Sequence, residues 1–179
     1  GSGIHSILGS ALWIGGIDVG GQLRLAAQTY RQSGNDFWPG PLDTTNAIID
    51  SLTSLQYDKI WKISSYKIEE FKYQWTLGNV QNGNYTPDAN ILSWPAHGTG
   101  NFSRNLAPFV DVNGNGIYEP LTAGDYPKIR GDQMLWWVMN DKGNIHTATG
   151  GDHLGVEIHA SAYAYACPQI HDSLSVINY

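Results

Sequence analysis

The sequence predicts an all-β fold of sandwich type, with long loops and one short α-helix. Three observations predict it: clean period-2 alternation in the C-terminal third, Gly- and Asp-rich turns between short apolar runs, and a single segment with helical periodicity and signals at both ends. The 179 residues suit one domain, 1–179, or a large piece of a longer protein. Hydrophobic residues make up 41% and charged residues 15%, enough apolar side chains for a packed core.

The elements follow in chain order. Residues 11–14 and 22–27 read as short β segments around Gly15-Gly16 and the Asp18-Val19-Gly20-Gly21 turn, which is hairpin chemistry. Residues 31–46 are irregular, because Gly34-Asn35-Asp36 and Pro39-Gly40-Pro41 interrupt any period. Residues 57–63 alternate as a strand and lead into the helix. Ser64 or Ser65 caps that helix, Glu69 and Glu70 are expected in its first turn, Ile68, Phe71 and Trp75 share one face, and Gly78 stops it.

Residues 79–106 are polar and rich in turns. Residues 134–140 form a strand, 141–144 a turn, and 156–166 the most regular strand of the chain. In that last strand Ile158, Ala160 and Ala162 fall on one face and Glu157, His159 and Tyr163 on the other. Pairing of the two runs is expected, with the alanine face buried. An apolar alternating run from Ser173 stops at Tyr179, as it would in a fragment or a chain completed by another.

Charge and composition exclude several classes of function. A net charge of −6 has the wrong sign for a phosphate-reading surface, so no nucleic-acid partner is expected. The longest apolar run, 134–139, is far shorter than the roughly 20 residues that span a bilayer, so no membrane insertion is expected. The single Cys167 excludes an internal disulfide framework. No Gly-rich phosphate loop with lysine and no Gly-x-Ser-x-Gly elbow occurs.

The strongest local motif is Asp111-Val112-Asn113-Gly114-Asn115-Gly116, which matches the opening of calcium loops. Ca2+ wants hard oxygen ligands, and alternate side chains of a tight loop converge on one point. Asp111, Asn113 and Asn115, the carbonyl of Ile117 and the carboxylate of Glu119 fall at the expected places. The twelfth place holds Thr122 in place of the usual glutamate, so Asp125 or Asp132 would supply that carboxylate. The same residues also make an Asx/Gly turn without metal.

Two weaker groupings stand beside it. His146, Asp152 and His153 share a Gly-rich loop, and Glu157 and His159 a strand face, but their spacings match no strong zinc pattern. Trp38 and Trp94 lie in loops, where exposed rings could stack on sugars, while the alternative is that they plug the ends of the core.

Five segments in order carry a family resemblance: ALWIGGIDVGGQLRLAAQTYRQSGNDFWPGPLD, YDKIWKI, WPAHG, LAPFVDVNGNGIYEPLTAGDYPKIRGDQMLWWVMNDKG and HLGVEIHASAYAYA. Together they resemble the N-terminal region of large secreted Bacteroidota proteins that carry a C-terminal type IX secretion sorting signal. The resemblance implies export to the cell surface or beyond, and a longer parent with further β domains. It also implies O-glycosylation at Asp-Ser/Thr motifs, which here are Thr44, Ser51 and Ser173; the sequons at Asn84 and Asn101 are accidental matches.

The expectation is an extracellular structural or adhesive module stabilised by Ca2+, without catalytic activity. Its partners would be the rest of the parent chain, neighbouring subunits or surface glycans. The alternative is a carbohydrate-binding or glycan-active module that uses Trp38 and Trp94.

Overall fold

The computed structural model describes residues 9–29, 33–166 and 176–178. The chain is β-rich, with antiparallel sheets and three helices among the described residues. In order these are β1 (Trp13–Ile17), β2 (Leu23–Ala27), β3 (Trp38–Pro39), α1 (Ser51–Gln56), β4 (Trp61–Ser64), α2 (Ser65–Thr76), α3 (Ala89–Leu92), β5 (Phe109–Val110), β6 (Tyr126–Pro127), β7 (Gln133–Asn140), β8 (Glu157–Tyr165) and β9 (Val176–Asn178). Strands β3, β7, β8 and β9 lie side by side in that order, β4 also pairs with β7, and β1–β2 and β5–β6 form separate ribbons. The expected pairing of β7 with β8 is therefore present.

The chain divides into two compact units, Gly1–Asp58 with Met139–Ile158 and Lys59–Val138 with His159–Tyr179. In the first, β1 and β2 pair from Trp13↔Ala27 to Ile17↔Leu23. Gly15 and Gly16, expected in a turn, are strand residues, and the turn falls wholly on 18–22. Asp18 closes it by accepting the Gly20 and Gln22 amides at 2.8 and 2.9 Å. Its second oxygen holds Arg24, which also reaches Asp152. One face of the ribbon buries Ala26; the opposite face presents Trp13, Ile17 and Leu23, with Trp13 73% exposed.

Further along the first unit, 33–36 clasps 147–149. Asn35 and Thr147 share three hydrogen bonds: Asn35 N to Thr147 Oγ1 at 2.8 Å, Thr147 N to Asn35 O at 2.9 Å and Thr147 Oγ1 to Asn35 O at 3.3 Å. Only glycine suits position 34, where φ is +91° and a Cβ would lie 2.6 Å from the Thr147 carbonyl. Helix α1 was not expected from the sequence. At six residues it is too short to show a period, and Asp50 caps it through the Leu52 and Thr53 amides.

In the second unit, β4 pairs with β7 so that Trp61 faces Trp136 and Ile63 faces Met134, all buried. The chain turns directly from β4 into α2, with Ser64 as its N-cap and Gly78 (φ +74°) just past its end, as the sequence predicts. Ile68 and Phe71 are the buried helix positions. Each such large apolar side chain contributes roughly 1.5–3 kcal/mol when fully buried. Short helix α3, capped by Asp88, also escapes the sequence pattern.

The centre of this unit is a tryptophan cluster. Trp136 lies 5.8 Å from Trp61 and 6.1 Å from Trp94, centroid to centroid. The Trp61 and Trp94 indole N–H groups donate to the carbonyls of Ser93 (2.7 Å) and Pro108 (2.9 Å).

Strand β8 only partly follows the expected two faces. Ala162 is buried, Ile158 and Ala160 are half-buried, and His159 is exposed. Glu157, expected on the open face, is only half-exposed, because its carboxylate accepts the Leu42 amide at 2.6 Å. Of the run after Ser173, the described residues Val176–Asn178 pair within the chain: β9 lies antiparallel to β8, Ala164 opposite Ile177.

Candidate functional site

The loop from Asp111 joins β5 to β6, a two-stranded ribbon with Phe109 opposite Pro127 and Val110 opposite Tyr126. Its side-chain oxygens turn back on its own backbone. Asp111 accepts the Gly114 and Gly116 amides at 2.7 and 2.6 Å, and the Asn115 amide at 3.3 Å. Asn113 accepts from the Asn115 amide, and Asn115 from the Ile117 amide, at 3.1 and 2.7 Å. The repeat of acceptor two residues before donor is what Asx residues at alternate positions give. The Gly116 amide, with those of Gly114 and Asn115, holds the Asp111 carboxyl below its ordinary range against a smaller opposing effect of burial.

This donor set fits a hard cation. One ionised carboxylate, two amide oxygens, the Glu119 carboxylate and the Ile117 carbonyl lie within nine residues. Two neighbours moderate the fit. Asn115 Nδ2 donates to Glu119 Oε2 at 2.6 Å, a bond that a shared cation would replace, and Arg104 Nη2 donates to the Gly116 carbonyl at 3.3 Å.

Asp125 takes a different place from the one its sequence position suggests. It is fully buried, and its two oxygens accept the amides of Val112 and Glu119, each at 2.8 Å. It thus ties the start of the loop to its far side, a brace for the frame in which the other oxygens sit. Asp132 is further removed, since its carboxylate accepts the Ala166 amide.

Two more residues support the loop from 91–97. Tyr118 donates its hydroxyl to the Ile91 carbonyl at 2.7 Å, and burial followed by the Asp125 charge raises its phenol far above the ordinary value. The Tyr118 amide donates to His97 Nε2. No local pattern around His97 or Tyr118 announces this support, because the two residues lie 21 positions apart.

The other expected site residues do not gather. Asp152 pairs with Arg24, His153 is exposed, and both ring nitrogens of His146 face carbonyl oxygens. No group of three or more His, Cys, Asp or Glu side chains suited to a metal converges among the described residues, which leaves the loop's mixed oxygen set as the candidate. Trp94 is 4% exposed with its N–H satisfied, so it has no ring face for a sugar; it is a core residue. Trp38 is half-buried and stacks on His146. Thr44 and Ser51 are exposed, while Ser173 lies outside the described residues.

No helix among the described residues is long and apolar enough to cross a membrane. Compared with protein-family models, curated proteins and solved structures, the chain matches none of them.

Proposed function

We propose that this chain is a structural or adhesive module of a secreted, cell-surface protein, a β-sandwich-type domain without catalytic activity, stiffened by Ca2+ at Asp111, Asn113, Asn115, Ile117 and Glu119. The observation that supports it is the pre-folded loop, whose oxygen-bearing side chains are fixed by its own amides within a frame braced by buried Asp125. A loop ordered before binding loses little entropy on taking up a cation. The secreted setting rests on the five-segment resemblance, and with it Thr44 and Ser51 are proposed as O-glycan acceptors. The carbohydrate-binding alternative is left with Trp38 alone, and we do not adopt it.

The test is a calorimetric Ca2+ titration of the full chain with melting curves in Ca2+ and in EGTA. A ligand bound only by the folded state raises the melting temperature by mass action, worth about 2.7 kcal/mol at a hundredfold excess over Kd. Asp111→Ala should remove that rise. Identical melting of the unsubstituted protein in Ca2+ and EGTA, with no binding heat, overturns the reading.

A further inference from the structure

The first unit encloses a polar centre that the proposed function does not use. His146 is 4% exposed overall and its side chain 1%. Its Nδ1 lies 2.7 Å from the Leu25 carbonyl oxygen, and its Nε2 lies 2.6 Å from the Asp141 carbonyl oxygen. A carbonyl oxygen can only accept a hydrogen bond, so each contact requires a proton on the ring nitrogen that makes it. A neutral imidazole carries one N–H and would press its other lone pair against an oxygen.

Two neighbours favour the same state. Asp36, fully buried, places Oδ2 3.8 Å from Nδ1. Burial alone would raise the Asp36 carboxyl, but the Thr149 hydroxyl and the amides of Ala27, Ala148 and Thr149 outweigh it and hold it below the ordinary range. A buried carboxylate kept ionised calls for a cation beside it. The Trp38 ring stacks on the imidazole at 5.9 Å and 27°, presenting a π face to that charge.

The Asp141 carboxylate is turned away, accepting the amides of Leu154, Gly155 and Val156. His153, exposed, meets the ring edge-on at 6.5 Å.

We propose that His146 is a doubly protonated imidazolium built into the first unit, a buried cation linking the backbone of β2, at Leu25, to that just after β7, at Asp141. Losing one proton leaves a lone pair against a carbonyl and an anionic Asp36 without its counter-charge.

One measurement on the unsubstituted full chain tests this. In 1H–15N ring correlation spectra, with His146 assigned through its own bonds, both nitrogens should carry protons at about pH 7; a bare nitrogen at either position overturns the proposal.

Discussion

His97 Nε2 accepts the backbone amide of Tyr118 at 2.9 Å, while its Nδ1 lies 2.6 Å from the Arg104 carbonyl. The carbonyl needs a donor and the amide needs an acceptor, so the ring is held as the neutral tautomer protonated on Nδ1. This one side chain joins the segment after α3 to the middle of the oxygen-rich loop. Phe109 packs edge-on against the same ring at 5.3 Å.

His97→Phe is expected to keep the ring packing and lose both polar contacts, leaving the Tyr118 amide and Arg104 carbonyl without this partner. The loss should be roughly 1–3 kcal/mol by urea denaturation. His97→Gln, which offers one acceptor and one donor, should recover part of it. No loss in His97→Phe together with a loss in His97→Gln would show that ring packing alone matters.

Asp125→Ala removes the acceptor for two amides at a fully buried position. A destabilisation on the order of 2 kcal/mol or more is expected, again by urea denaturation. Amide exchange at Val112 and Glu119 should speed up together. A variant with unchanged exchange at both would show that Asp125 is not the brace.

Acid should loosen the same loop. Asp111 titrates below its ordinary value of 3.8, chiefly because of the Gly116 amide. A carboxyl lowered in the fold contributes stability that is complete above the unfolded value and disappears as pH falls through the folded one. The Gly114 and Gly116 amide resonances should therefore shift in step with the Asp111 carboxyl below pH 3.8. In Asp111→Asn that coupled shift should vanish.

Trp94→Ala should cost about 3–5 kcal/mol, the usual range for emptying a buried aromatic site. Trp94→Phe should cost less and leave the Pro108 carbonyl without its indole donor. Trp38→Ala, at a half-buried position, should be milder in urea denaturation. If Trp94→Ala were as mild as Trp38→Ala, the tryptophan cluster would not be the core of its unit.

Much of this architecture can be read from local signals. Helix α2 matches its predicted limits because Ser64 and Gly78 punctuate it and Ile68 and Phe71 supply its inward face. Strands β7 and β8 show in their alternation, and the loop from Asp111 shows in its Asx spacing. What stays hidden depends on distance along the chain or on brevity. Asp36 meets Ala148 across 112 residues, and nothing near either residue announces the partner. Helices α1 and α3, six and four residues long, reveal themselves only through Asp50 and Asp88 as caps. Glycines 15 and 16 mislead because a paired ribbon accepts them, Gly15 lying against the Leu25 side chain. Trp94 has the sequence surroundings of a loop residue and the burial of a core residue, since its loop passes over Trp136.

The course of the chain between its two units also bears on inheritance. It passes from the first to the second after Asp58, returns after Val138 and leaves again after Ile158. Two of those passages fall inside β7 and β8, which are hydrogen-bonded strands. No single pair of recombination breakpoints can therefore lift out either unit whole. A genetic exchange that replaced one would have to splice within paired strands, where a shift of one residue turns every side chain to the opposite face. Replacing either unit whole takes three breakpoints, two of them inside paired strands.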